Sequence, residues 1–336
     1  MKKGESTMPS IVDVAREAGV STATVSRAIN TPEKVAQKTR RRVNAAIEKL
    51  QYSPEDNRST LSAALTHMIL IIIPDFSNMF FSDILSGMNE TALRNGYSLL
   101  VAASNSMIER ERELVKLMYK RQADGIIFLS PLLSDEELKR ISLSFPLVQC
   151  CEYNEHADYP YVSIDDTKAA EIATEYLLSN GGSKIALING PGNFKYARRR
   201  QEGFMNALQK AEVMIPKQWI VQLPEVSYEM AYAAICRLLN SDSRPNAFFT
   251  ISDIFAAAVI RAAKRFHLHV PRDILVVGFD NIELSSMTTP SITTVNQPKF
   301  QMGYTACEML LELLEEPQEE MKSLILDTEL IIREST

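Results

Sequence analysis

The sequence predicts two kinds of fold in one chain: a small all-α unit at the amino terminus, then an α/β body of two similar lobes. Three observations carry this expectation. Residues 10–53 show helical periodicity and no strand pattern. From Met68 onward, short continuous apolar runs alternate with amphipathic segments, as parallel sheets covered on both faces require. Charge divides near the same place: the first 60 residues carry 11 Lys and Arg against 7 Asp and Glu, and the other 276 carry 25 against 35.

In the head, Ile11, Val14, Ala15 and Ala18 fall on one helical face, and Gly19 can end that helix in a left-handed conformation. Ser21 is placed to cap a second, short helix whose Val25 and Ala28 or Ile29 face inward. Pro32 stops it. A third helix runs from about Gln37 to Leu50 with Val43, Ile47 and Leu50 inward, and Pro54 closes the unit. Residues 1–9 read as a disordered tail, 10–54 as the headpiece, and 55–67 as a polar linker or a helix that needs a partner to form.

In the body, "MILIIIP", "YSLLVAA", "DGIIFLS", "PLVQCCE", "KIALING", "NAFFTIS" and "DILVVGFD" have strand length. Helical segments follow them, among them Phe81–Arg94, Glu109–Lys120, Thr167–Leu178, Arg200–Ala211 and Asp253–Phe266. So many units exceed one ordinary sheet, which favours two lobes joined near "YVSIDDTKAA" over one long domain.

Several function classes are disfavoured. No apolar run is long enough to cross a bilayer, and residues 1–10 lack the apolar stretch of a signal peptide, so a cytoplasmic protein with no membrane partner is expected. Cys150, Cys151, Cys236 and Cys307 make no Cys-x-x-Cys motif and read as reduced core thiols. The four histidines lack zinc-site spacing, and neither a nucleophile elbow nor a phosphate-binding glycine loop is present. No metal, no cofactor and no catalysis are expected.

The head has the features of a helix-turn-helix, in which the second helix enters the DNA major groove. Thr22, Ala23 and Arg27 would then contact bases, Arg27 by two hydrogen bonds to guanine. Ser21, Thr24, Thr39 and Tyr52 are sited for phosphates. A plain three-helix bundle with a solvated face is the alternative.

The string "IVDVAREAGVSTATVSRAIN…VAQKTRRRVNAAIEKLQYSP" resembles the headpiece of the LacI/GalR family of bacterial transcription regulators. The likeness continues through "IIPDFSNMFFSDILSGMNETALRNGYSLLVA", "RRQEGFMNAL", "VPRDILVVGFDNIEL" and "PSITTVNQP". It implies an all-α helix-turn-helix headpiece plus an α/β core of two Rossmann-like lobes, like periplasmic sugar-binding proteins, with three crossings between them. Lobe 1 would hold about 68–166 and 296–324, and lobe 2 about 167–295 and 325–336. It also implies a homodimer on a near-palindromic operator DNA and a small-molecule effector, a sugar or nucleoside, in the cleft. No leucine-heptad helix follows "ELIIREST", which favours the dimer over a tetramer.

The resemblance further makes residues 55–66 a hinge helix in the minor groove, with Leu61 as the wedge and Arg58 beside it. Glu55, Asp56 and Asn57 depart from the family's hinge pattern. In the cleft, Phe80 and Phe81 match ligand-stacking positions, and Arg200 and Asp280 match ligand-binding ones. Phe194 and Tyr196 stand where a purine-binding member has an arginine and a threonine, which disfavours a purine base. Asp253 reads equally as a helix cap and as a cleft residue. Regulation by a phosphorylated carrier protein and a solute-binding role are the alternatives.

Overall fold

The computed structural model describes residues 11–21, 24–25, 27–28, 35–50, 65–153, 159–315 and 323–336. The chain divides into two compact units, Met1–Leu65 and Thr66–Thr336. The tail 1–9, Thr22, Ala23, Tyr52, Arg58 and Leu61 lie outside the described residues.

In the first unit, α1 (Ile11–Ala18) packs against α2 (Gln37–Leu50). Val14, Ala15, Ala18, Val25, Ala28, Val43 and Ala46 form its core. Small residues at the contact let two short helices approach closely. Gly19 takes φ +61°, and the N–H of Val20 reaches back to the Ala15 carbonyl. Arg42 donates to the Ala18 and Gly19 carbonyls at 2.5 and 3.2 Å, tying α2 to the turn.

The second unit contains two six-stranded sheets. Lobe 1 contains β1 (Met68–Ile73), β2 (Ser98–Ala103), β3 (Gly125–Leu129), β4 (Leu147–Cys150), β5 (Tyr161–Ile164) and β11 (Leu324–Leu326), in the order β11-β5-β4-β3-β1-β2, all parallel. Lobe 2 contains β6 (Ile185–Asn189), β7 (Ile220–Gln222), β8 (Ala247–Thr250), β9 (Leu275–Asp280), β10 (Thr293–Asn296) and β12 (Glu329–Ile331), in the order β12-β10-β9-β8-β6-β7. Among the described residues of this sheet, only β12 is antiparallel to its neighbour.

Two-sided burial explains the continuous apolar strands. On β1, Ile69, Ile71 and Ile73 join one core and Leu70 and Ile72 the other, the period of two that a pleat imposes. The first face meets α3 (Phe80–Arg94) and α11 (Lys299–Glu315), and the second meets α4 (Ile108–Tyr119) and α5 (Asp135–Ser142). In lobe 2 the helices are α6 (Asp166–Ser179), α7 (Lys195–Lys210), α8 (Tyr228–Leu239) and α9 (Asp253–Arg265), with a short α10 (Leu284–Met287). Each lobe uses glycine at its closest helix crossing. A Cβ at Gly303 would strike the Ile84 carbonyl, and one at Gly203 the Thr167 carbonyl.

The chain passes between lobes three times, after Ile164, after Asn296 and after Leu326. The last crossing follows Leu326, near the approximate boundary at 324 that the resemblance implies, because β11 stays in parallel register with β5 through Leu326↔Ile164. Helix α7 begins at Lys195, five residues ahead of the expected Arg200. Its first N–H groups are satisfied by Glu152 from the other lobe, a partner that local sequence does not reveal.

Candidate functional site

In the head, the described residues show a turn at Gly19 followed by helical backbone. Thr24, Val25, Arg27 and Ala28 have helical backbone. Ser21 Oγ accepts the Thr24 N–H at 3.2 Å and lies 2.9 Å from Thr24 Oγ1, so both hydroxyls sit at the helix start. Val25 is wholly buried while Arg27 is exposed, and Thr39 is half-buried near the start of α2.

Between the lobes of the second unit lies a cavity of about 800 Å³, at the carboxyl ends of the parallel strands. That position follows from the fold: strand ends and helix starts converge there. Its floor is ionic. Arg200 on α7 is 5% exposed, and its Nε donates to Asp166 Oδ1 at 2.7 Å. Its Nη1 donates to the Ile251 carbonyl at 2.7 Å and to Asp280 Oδ1 at 3.4 Å. The guanidinium carbon sits 3.6 Å from the centre of the Phe279 ring, a close cation–π contact. Burial pulls the Arg200 pKa down, but Asp166 and Asp280 outweigh it and the net shift is upward. Burial raises the pKa of both aspartates, against the lowering effect of Arg200. One cation between two carboxylates leaves the floor rich in hydrogen-bond acceptors.

Asp280 has φ +97° and Asn281 φ +48°, uncommon for residues with a Cβ. Neighbours hold this turn in place. Gln297 Nε2 donates to Asp280 Oδ1 at 2.7 Å, and Lys299 Nζ donates to the Asp280 and Asn281 carbonyls at 2.7 and 3.0 Å. Arg333 Nη2 donates to Asn281 Oδ1 at 2.8 Å.

The walls are aromatic. Phe80 and Phe81 come from lobe 1, with ring centres 5.3 Å apart and edge to face. Phe194 and Tyr196 come from lobe 2 and stack at 5.6 Å. Tyr228 and Val226 also line the cavity. Flat apolar walls over an acceptor-rich floor suit a ring that carries hydroxyl groups.

The cavity thus gathers Phe80, Phe81, Phe194, Tyr196, Arg200 and Asp280. Asp253 is a correction on both counts. Ser252 is the cap of α9, through the Ile254 N–H at 3.3 Å. Asp253 lies behind the wall, wholly buried, accepting the Ile282 N–H at 2.8 Å and the Thr294 hydroxyl at 2.6 Å. Burial first, then the charge of Asp280, pushes its pKa up to about 8. Cys151, half-buried, also lines the cavity, and Cys236 is half-buried too, so the four cysteines are not all core residues. Sequence reading passed over Asp166, Gln297 and Glu152. The adjacent aspartates in "SIDDTK" were the available signal: Asp165 caps α6 through the Lys168 N–H, and Asp166 meets Arg200.

A helix-turn-helix unit joined to a two-lobed core with a ligand cavity defines a DNA-binding transcriptional regulator. Residues 10–55 match the bacterial regulatory proteins of the lacI family, and residues 174–336 match the periplasmic binding protein-like domain. The HTH-type transcriptional repressor CytR of Escherichia coli is 34% identical over 99% of this chain and 98% of its own length. The repressor PurR of Vibrio vulnificus is 30% identical over 98% of each. Among solved structures, the lac repressor dimer bound to operator and the anti-inducer ONPF superimposes with a TM-score of 0.73 at 25% identity, over 98% of this chain and 99% of that one. The regulator CelR in complex with cellobiose gives 0.73 at 28% identity, over 98% of this chain and 100% of that one. The chain belongs to the LacI family of bacterial transcription regulators. It is a DNA-binding repressor with an effector-binding core.

Proposed function

We propose that this repressor binds a near-palindromic operator as a homodimer in the cytoplasm and that a sugar or nucleoside in the interlobe cavity weakens that binding. The observation that carries the reading is the floor of Arg200, Asp166 and Asp280 under aromatic walls drawn from both lobes. A ligand that touches both lobes changes the angle between them, and so biases any element that depends on that angle.

In this reading Thr22, Ala23 and Arg27 contact bases, and Ser21, Thr24, Thr39 and Tyr52 contact phosphates. Residues 55–66 form a hinge helix on the operator, with Leu61 wedged between base pairs beside Arg58. The effector separates the two hinge starts of the dimer, and the hinge helices melt. The cavity residues bind and orient; no catalytic role is proposed for them.

The test is a mobility-shift titration of the full chain on the control region of its own transcription unit, at fixed salt, with and without a panel of sugars and nucleosides. A panel member that lowers operator affinity while leaving random-duplex affinity unchanged is the expected result. Equal affinity for both DNAs under every compound refutes the reading.

A further inference from the structure

We propose that the interlobe cavity excludes phosphorylated and other anionic ligands, so that its occupant is an uncharged, hydroxyl-bearing ring compound, a free sugar or nucleoside and not its phosphate ester. The proposal rests on the effector reading above and adds the ligand's charge.

Anions bind proteins of this architecture where helix amino termini converge on the strand ends. The long helices α3, α6, α7, α8 and α9 start at this cavity, and each start is already supplied with the protein's own acceptors, Asp165 Oδ1 taking the Lys168 N–H at 2.9 Å at α6. At α3, Asn78 Oδ1 takes the Phe80 N–H at 3.0 Å, and Asp83 lies in the first turn. At α7, no side chain of the same lobe caps the helix. Glu152 of lobe 1 instead accepts the Lys195 and Tyr196 N–H groups at 2.9 and 2.7 Å. At α8, Ser227 Oγ accepts the Met230 N–H at 3.4 Å, with Glu229 in the first turn. At α9, Ser252 Oγ accepts the Ile254 N–H at 3.3 Å. An incoming phosphate therefore finds these amides engaged and carboxylates beside them.

Side-chain charge points the same way. Among the described residues that line the cavity, Asp75, Glu152, Asp166, Glu225, Glu229 and Asp280 are carboxylates, and Arg200 is the one cation. Arg200 is already shared by two of them. The Ser77 hydroxyl and N–H hold the Asp75 carboxyl below its usual range, which keeps that charge in place at neutral pH. A carboxylate also offers only acceptors, as does a phosphate, whereas a sugar hydroxyl can donate.

The full-length protein is titrated calorimetrically and by thermal midpoint with matched pairs: nucleosides and their 5′-monophosphates, pentoses and hexoses and their phosphates. The binding member of any pair is expected to be the unphosphorylated one, with its ester weaker by at least about tenfold. An ester that binds as tightly as its parent overturns the proposal. In Glu225→Gln/Glu229→Gln, two exposed mouth positions, the gap should narrow severalfold; an unchanged gap overturns the role given to the mouth carboxylates. Inorganic phosphate against chloride of equal ionic strength decides the matter even if no panel compound binds, an outcome that would count against the effector reading instead. No specific stabilisation by phosphate is expected. Saturable stabilisation by phosphate that Arg200→Ala removes overturns anion exclusion directly.

Discussion

Lys299, the first residue of a lobe 1 helix, places its ammonium nitrogen 2.7 Å from the carbonyl oxygen of Asp280 at the end of a lobe 2 strand. Its side chain is 5% exposed and reaches within 3.7 Å of Asp83 on α3. One buried cation thus ties the strained turn that carries Asp280 to the helix pair of the other lobe. Lys299→Met should remove this tie while keeping the packing volume. Two carbonyls would lose their donor, at a cost of about 1–3 kcal/mol in denaturant unfolding. Operator affinity without ligand should hold, while the ligand-induced change in that affinity shrinks. A full ligand response in mobility-shift titrations of Lys299→Met would rule out the coupling role.

The ionic floor leads to a second expectation. Arg200→Ala leaves Asp166 and Asp280 facing each other without a cation, and breaking a buried pair in this way costs about 3–5 kcal/mol. Arg200→Lys keeps the charge but cannot span two carboxylates and the Ile251 carbonyl with a planar fork. Both variants should keep operator binding and lose the ligand response, with Arg200→Lys the better folded of the two. Calorimetric binding of a panel compound at wild-type affinity by Arg200→Lys would mean that the floor does not hold the ligand.

Much of the fold was legible because its determinants are local and periodic. The β1 run "MILIII" can be this apolar only if both faces are covered, and α2 was placed with the ends it has in the structure. The family resemblance singled out Arg200 and Asp280, and both line the interlobe cavity. The site was hidden where the partner is distant in sequence. Glu152 caps a helix that starts more than forty residues later, and Lys299 reaches back to carbonyls at 280 and 281. Asp253 shows the limit from the other side. A polar residue at a helix start after a strand fits a cap, a ligand group or a buried tie equally well, and only the position of Thr294 and Ile282 distinguishes them.

The DNA-facing expectations separate specific from nonspecific binding. Arg27→Ala should reduce discrimination between operator and random duplex by about 1–3 kcal/mol, the worth of one bidentate contact to guanine. Leu61→Ala removes the proposed wedge and should weaken operator binding on the order of tenfold, leaving the salt-driven affinity for random DNA unchanged. Parallel titrations on both DNAs over a salt series provide the measurement. An equal loss on both for Leu61→Ala would exclude a wedge.

Asp253 ties stability to pH. Its carboxyl, with an ordinary value of 3.8, is pushed up to about 8 in the folded protein, chiefly by burial and then by the charge of Asp280. The folded state therefore holds this proton more tightly than the unfolded chain does. The sign follows by linkage: the contribution is fully present below about pH 4, declines as the unfolded chain ionises, and is lost by about pH 8. Asp253→Asn keeps an oxygen for the Ile282 N–H or the Thr294 hydroxyl and carries no charge at any pH. Its unfolding free energy should vary less between pH 5 and 8 than that of the parent, by an amount on the order of a few kcal/mol. Urea midpoints across that range, taken at constant ionic strength, measure the difference. Parallel pH profiles for the two proteins would show that Asp253 is ionised in the folded state at neutral pH, against what its burial dictates.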